Sequence, residues 1–123
     1  MWKNINGRLV QTKDTSRVKF RTTISKSILD QLKEIAKEND TSVNYLFENG
    51  LERVISSGII TFNKDTRPKD RILYMTSYDK DLLKKVKEFA KNHKLYINDV
   101  IEYAVQFIDL DQVKRGDYRY RIE

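Results

Sequence analysis

Shifting the sequence by 54 positions lays residues 17–55 over residues 71–109 without a gap, and ten of the 39 pairs are identical. The identities are Arg17/Arg71, Thr22/Thr76, Lys26/Lys80, Leu29/Leu83, Lys33/Lys87, Glu34/Glu88, Ala36/Ala90, Lys37/Lys91, Asn44/Asn98 and Glu48/Glu102. Apolar positions agree in kind, from Val18/Ile72 and Phe20/Tyr74 through Leu32/Val86 and Phe47/Ile101 to Val54/Ile108. Such a repeat restricts the architecture before any other signal, because a unit of about 40 residues encloses too little apolar surface to stand alone. The two copies have to interlock around a shared core.

Each copy reads strand, helix, helix. Val18, Phe20, Thr22 and Ile24 alternate with Lys19, Arg21 and Thr23, the period of two of a strand with one buried face. Ile72, Tyr74, Thr76 and Tyr78 repeat that face in the second copy. Ser25 and Asp79 then precede a change to a period of 3.6, and both have side-chain oxygens that cap helix starts. The first helices carry the stripes Ile28, Leu29, Leu32, Ile35, Ala36 and Leu82, Leu83, Val86, Phe89, Ala90, with lysines and glutamates opposite. Residues 39–41 and 92–94 interrupt the stripes, and their asparagines suit the left-handed conformation that ends many helices. Second helices follow, with Val43, Leu46, Phe47, Leu51, Val54 and Ile55 in one copy and Ile97, Val100, Ile101, Ala104, Val105 and Ile108 in the other.

Three segments lie outside the copies. Residues 1–16 read as a flexible N-terminal arm, residues 56–70 as a connector containing Ser56-Ser57-Gly58 and the single proline, Pro68, and residues 110–123 as a C-terminal tail. Ile59 to Phe62 could add a short strand, and the alternating Tyr118-Arg119-Tyr120-Arg121-Ile122 an edge strand. No apolar run approaches the roughly 18 residues needed to cross a bilayer. With no cysteine, disulfides and thiolate metal sites are excluded, and a net charge of +6 favours a polyanionic partner. These features fit a soluble cytoplasmic protein, associated with the nucleoid if the polyanion is DNA.

A lone strand cannot satisfy its own backbone. Two copies resolve this if their strands join as an antiparallel ribbon over four interlocked helices, and a two-stranded ribbon is one of the few elements that enter the DNA major groove. The run Phe20-x-Thr22 plus a cap, Ile28-Leu29-x-x-Leu32-x-x-Ile35-Ala36-x-Glu38-Asn39, and Thr41-Ser42-Val43-Asn44 resembles the ribbon-helix-helix DNA-binding family of the Arc and MetJ type. The resemblance covers residues 18–55 and, through the repeat, residues 71–108. The second copy keeps Asn98 but has Tyr96 in the place of Ser42. What the resemblance implies is an α+β, mostly helical fold: two ribbon-helix-helix repeats forming an intramolecular pseudo-dimer with a two-stranded antiparallel β-ribbon and four helices.

The resemblance also implies sequence-specific binding of double-stranded DNA, as a transcriptional repressor or regulator, with copies able to associate on adjacent sites. Its base readers would be the outward strand residues Lys19, Arg21 and Thr23, and in the second strand Leu73, Met75 and Ser77. Arginine and lysine suit guanine acceptors, and threonine can bond a base or touch a thymine methyl. Leu73 and Met75 depart from the polar pattern, and either meet thymine methyls or lie beneath another protein element. Phosphates would sit at the start of each second helix, at Thr41, Ser42, Val43 and Asn44 and at Leu95, Tyr96, Ile97 and Asn98. Arg17, Arg71, Lys26 and Lys80 flank the ribbon as further neutralisers, whereas Lys33, Lys37, Lys87 and Lys91 read as a solvated helix face.

Other chemistry finds little support. His93, the only histidine, stands at a helix end, where capping or exposure explains it, and there is no Gly-rich phosphate loop, metal-ligand spacing or nucleophile with a base. Neither an enzyme, a cofactor nor a membrane partner is expected. Tyr74 and Tyr78 belong to the inner strand face, while Tyr118 and Tyr120, interleaved with Arg119 and Arg121, could form a separate contact to nucleic acid or protein. Two other functions fit the same pattern: an accessory DNA-binding protein of plasmid conjugation or partition, and an antitoxin or interaction module docking a protein through its C-terminal tail or through Leu73 and Met75.

Overall fold

The computed structural model describes residues 2–5, 8–11 and 16–113, with side chains from residue 16 onward. In the N-terminal segment, β1 (Trp2–Ile5) pairs antiparallel with β2 (Arg8–Gln11). The sequence reading had only an arm here. Asn6-Gly7 lies between the two runs, and Asn-Gly is a strong signal for a two-residue hairpin.

The main body is α+β and mostly helical. β3 (Arg17–Ser25) leads into α1 (Lys26–Glu38) and α2 (Val43–Ser57), and β4 (Arg71–Asp79) leads into α3 (Lys80–Asn92) and α4 (Ile97–Ala104). β3 and β4 form a two-stranded antiparallel sheet in which Arg17 faces Asp79 and Ser25 faces Arg71. The register respects the 54-residue shift. Arg21 faces Met75, its own counterpart, while Lys19 faces Ser77 and Thr23 faces Leu73, two pairs that the shift exchanges. Beyond the strands, Lys26 N–H donates to the Asp70 carbonyl (3.0 Å) and Lys80 N–H to the Ser16 carbonyl (2.8 Å), again one shift apart.

The predicted caps are in place. Ser25 Oγ accepts from Ile28 N–H (3.4 Å) and the Asp79 carboxylate from Leu82 N–H (2.9 Å), which satisfies a donor at the first turn of α1 and of α3. At the other ends the left-handed residues are Asp40 (φ 51°) and Lys94 (φ 56°) rather than the asparagines. Asn39 keeps φ −108° and turns its amide back to donate to the Ile35 carbonyl (2.8 Å). Thr41 N–H and Leu95 N–H then close onto the Ala36 and Ala90 carbonyls, both at 2.9 Å, the six-to-one bond that offsets a strained left-handed residue.

Ile24 and Tyr78 on the inner sheet face pack over Leu29, Leu32, Leu46, Phe47, Val86, Val100 and Ile101, all buried. Beneath them α2 and α4 cross at Gly50 and Ala104, which are counterparts. A β-carbon on Gly50 would stand 2.3 Å from the Ala104 carbonyl oxygen.

Two expectations about helix and strand extent fail. The second helix of the second copy stops at Ala104, Val105–Phe107 tightens into a 3-10 turn and Ile108 is extended. There Ile108 N–H bonds to Val105, and Asn49 Oδ1 on α2 takes Asp109 N–H (2.7 Å), drawing the chain off the helix axis. Ile59 to Phe62 form no strand. Ile59 is exposed, Thr61 N–H donates to the Tyr103 hydroxyl (3.3 Å), and the regular element of the connector is a 3-10 turn, Lys64–Thr66, capped by Asn63. Val113 is buried in the core, while Tyr118 to Ile122 lie outside the described residues. Among the described residues no helix is long and apolar enough to cross a membrane.

Candidate nucleic-acid interface

A strand sends alternate side chains to opposite faces, so Val18, Phe20, Thr22 and Ile24 turning inward commits Lys19, Arg21 and Thr23 to the outside. Lys19 and Arg21 are exposed and Thr23 is half-buried. On β4, Leu73 and Met75 keep 69% and 57% of their surface in solvent and Ser77 is half-buried. The sheet thus presents three cross-strand pairs on one open face: Lys19 with Ser77, Arg21 with Met75, and Thr23 with Leu73.

Two asparagines fasten the sheet to the second helices. Asn44 Nδ2 donates to the Ser77 carbonyl (3.1 Å) and Ser77 Oγ (3.4 Å), and Asn98 Nδ2 donates to the Thr23 carbonyl (3.0 Å) and Thr23 Oγ1 (3.1 Å). Both side chains are buried and point at the strands. The amide side chains therefore position the sheet, and what a helix start can offer an anion is its backbone N–H groups. At α2 the N-cap is Ser42, whose hydroxyl bonds to Asn44 Oδ1, with half-buried Thr41 and Val43 on either side.

The start of α4 is built differently. Asp99 takes the Tyr96 N–H (2.9 Å), fully buried, and receives Arg67 Nη2 and Arg71 Nη2, both at 2.8 Å. The chain's own carboxylate therefore neutralises this helix start. Arg67 also lies over the ring of exposed Tyr96, with 4.5 Å from its guanidinium carbon to the centroid. Leu95 and Ile97 flank this arrangement half-buried. Ser42 and Tyr96 occupy equivalent places but offer unlike surfaces, a hydroxyl and a stacked ring.

Arg17 and Arg71 are engaged within the fold. Arg17 pairs with Glu48 and donates to the Ser77 carbonyl (3.0 Å), and Arg71 Nε reaches Glu102 (3.1 Å) while its Nη2 bridges Glu102 and Asp99. Their charges are consumed by carboxylates inside the fold, so they brace the ends of the strands and add little positive field. Glu102 also accepts the Ser25 N–H (2.8 Å). Lys26 and Lys80 stay exposed at the first position of α1 and α3, Lys26 beside Asp30 at 2.8 Å. His93 Nδ1 meets the Phe89 carbonyl at 2.8 Å, and its ring lies 4.2 Å from that of Phe89, a helix-end contact. Among the described residues no group of three or more histidines and carboxylates stands ready for a metal ion.

Glu48, Glu102 and Asp99 are site residues that the sequence expectations do not include. The signal was available for two of them: Arg17/Arg71 and Glu48/Glu102 are both identities of the repeat. Burial pushes the Asp99 carboxyl up, but hydrogen bonds from Arg67, Arg71 and the Tyr96 amide outweigh it and hold the group below its ordinary value. Asp70 is lowered too, first by the Ser27 N–H and then by the Ser25 hydroxyl. A carboxyl that is more acidic folded than unfolded lends stability above about pH 4 and loses it as pH falls through the folded value. Acid unfolding is therefore expected below about pH 4, and Asp99→Asn should be less stable at pH 6 yet flatten the decline between pH 5 and 2. Urea titrations across that range measure both.

Compared with protein-family models, curated proteins and solved structures, the chain finds no match.

Proposed function

We propose that this chain is a ribbon-helix-helix pseudo-dimer made by one polypeptide, and that it binds double-stranded DNA with the β3/β4 sheet in the major groove. One observation carries the reading. Lys19, Arg21, Thr23, Leu73, Met75 and Ser77 share the open face of an antiparallel pair, and Asn44 and Asn98 tie that pair to two helix starts. A two-stranded ribbon matches a groove of roughly 12 Å, and its outer side chains are then at the height of the base edges. The start of α2 beside it is suited to a phosphate that fixes register. The net charge of +6 adds a sequence-independent attraction that weakens with salt. A regulator of transcription, working in the cytoplasm on the nucleoid, is the role this module fits.

The test is a duplex selected from a random library and titrated at stated salt with the protein and with Lys19→Ala, Arg21→Ala. A base contact is worth on the order of 1–3 kcal/mol, so the double variant should lose at least about tenfold in specific affinity. Both side chains are exposed, so the circular dichroism spectrum should not change. Replacing Lys26 and Lys80 instead should weaken all duplexes alike and shrink the salt slope by about one for each lysine that meets a phosphate. Unchanged affinity in the Lys19, Arg21 variant removes the sheet from the interface.

A further inference from the structure

In a ribbon made by two identical chains, the two ends present the same side chains. Here they do not. One end of the β3/β4 face carries Lys19 beside Ser77, the other Thr23 beside Leu73, and the centre pairs Arg21 with Met75. Ser77 accepts from Asn44 and Arg17, so the Lys19 end presents an exposed ammonium beside a held hydroxyl. Thr23 Oγ1 is held by Asn98, and beside it Leu73, at 69% exposure, is as open as Ile59 in the connector and more open than Met75. Residues 19 and 23 stand about 13 Å apart along an extended strand, the length of about four base-pair steps. The face is therefore long enough for its two ends to meet different base pairs.

We propose that Leu73, supported by Met75, reads thymine methyl groups at one end of a non-palindromic duplex site whose other end is read by Lys19, so that the protein lies on its site in one orientation. This rests on the DNA-binding reading and specifies its target. In the major groove the thymine methyl is the apolar feature by which a base pair can be told from the others, and an aliphatic side chain is its complement. A lysine or arginine complements the guanine acceptors instead. A protein partner is the poorer occupant: an interface needs about 800 Å² and 20–30 residues a side, whereas Leu73 and Met75 are two residues on a face that also carries Lys19 and Arg21. Buried apolar area also has to be gained without desolvating those cations, which a DNA groove accepts and an apolar protein surface does not.

The experiment takes the duplex selected by the full chain and replaces its thymines one at a time by deoxyuridine, which removes the methyl and nothing else. Affinity should drop by about fourfold at thymines on one end only, the value of one buried methyl-sized group. Leu73→Ala should bind the parent duplex more weakly by a similar factor and be indifferent to deoxyuridine at those positions. Lys19→Ala should keep the full deoxyuridine effect while losing its preference at the opposite end. A palindromic selected site, a chain indifferent to every deoxyuridine, or a Leu73→Ala variant with undiminished deoxyuridine losses would overturn the proposal; the last would leave Leu73 to a protein partner. A chain that selects no duplex would overturn the DNA-binding reading itself, which the other three results leave standing.

Discussion

Arg71→Ala is expected to lower the free energy of unfolding by about 3–5 kcal/mol, because it breaks a buried ion cluster and leaves charge uncompensated. The side chain of Arg71 is 15% exposed, that of Glu102 4% and that of Asp99 0%. Asp99 would keep Arg67 and the Tyr96 N–H, but Glu102 would keep only the Ser25 N–H among the bonds that hold it here. For a domain whose whole stability is about 5–15 kcal/mol, the variant should unfold at far lower urea. Arg67→Ala should cost less, since Arg67 is nearer solvent and Asp99 retains Arg71. Lysine at position 71 should not rescue the loss, because one ammonium cannot replace a planar fork that spans two carboxylates. Removing both charges, as in Arg71→Met with Glu102→Leu, should recover part of it. Urea midpoints of the four variants decide the matter, and a loss under about 1 kcal/mol for Arg71→Ala would mean the cluster behaves as a surface pair.

Gly50→Ala is the second large effect, and its sign is opposite to what helix propensity predicts. In an exposed helix the change would stabilise by about 1 kcal/mol. At this crossing the added methyl group meets the Ala104 carbonyl oxygen at 2.3 Å, and a backbone atom cannot swing aside as a side chain can. Either α2 and α4 move apart or the carbonyl tilts, and overpacking of that kind costs about 1–3 kcal/mol, toward the upper end here. The net expectation is a loss of about 2 kcal/mol in unfolding free energy, seen in thermal or urea denaturation. An unchanged or raised midpoint would mean that the crossing is loose. Gly58, left-handed at φ 70° with nothing within 4 Å of a β-carbon, is the contrasting case: alanine there meets only the conformational cost, about 1 kcal/mol.

What the sequence made legible follows from period and repetition. The alternation through residues 18–24 and 72–78 assigned inner and outer strand faces, and Ser25 and Asp79 marked the helix starts. Signals of that kind are local and need no knowledge of the partner. The features missed depend on tertiary contacts. Glu48 and Glu102 sit among charged neighbours at ordinary helix spacing, and only the far-off Arg17 and Arg71 distinguish them from solvated residues. Asp99 is fixed by Arg67, which lies in the connector outside the repeat and has no counterpart to draw notice. The end of α4 at Ala104 is set by Asn49 from another helix, which no propensity in residues 105–108 announces. The asparagines at 44 and 98 were marked as important by identity across the repeat. Their side chains proved to hold strands, a role that the phosphate-binding pattern of a helix start does not reveal.

The pairing of β3 with β4 inside one polypeptide has an evolutionary consequence. In a homodimer every substitution appears twice, so a change that improves contact with one half-site disturbs the other. Here a mutation at position 73 leaves position 19 untouched, so the two strands can change independently of each other. Dilution cannot separate the strands either, so the outer face of the sheet is complete however few molecules are present.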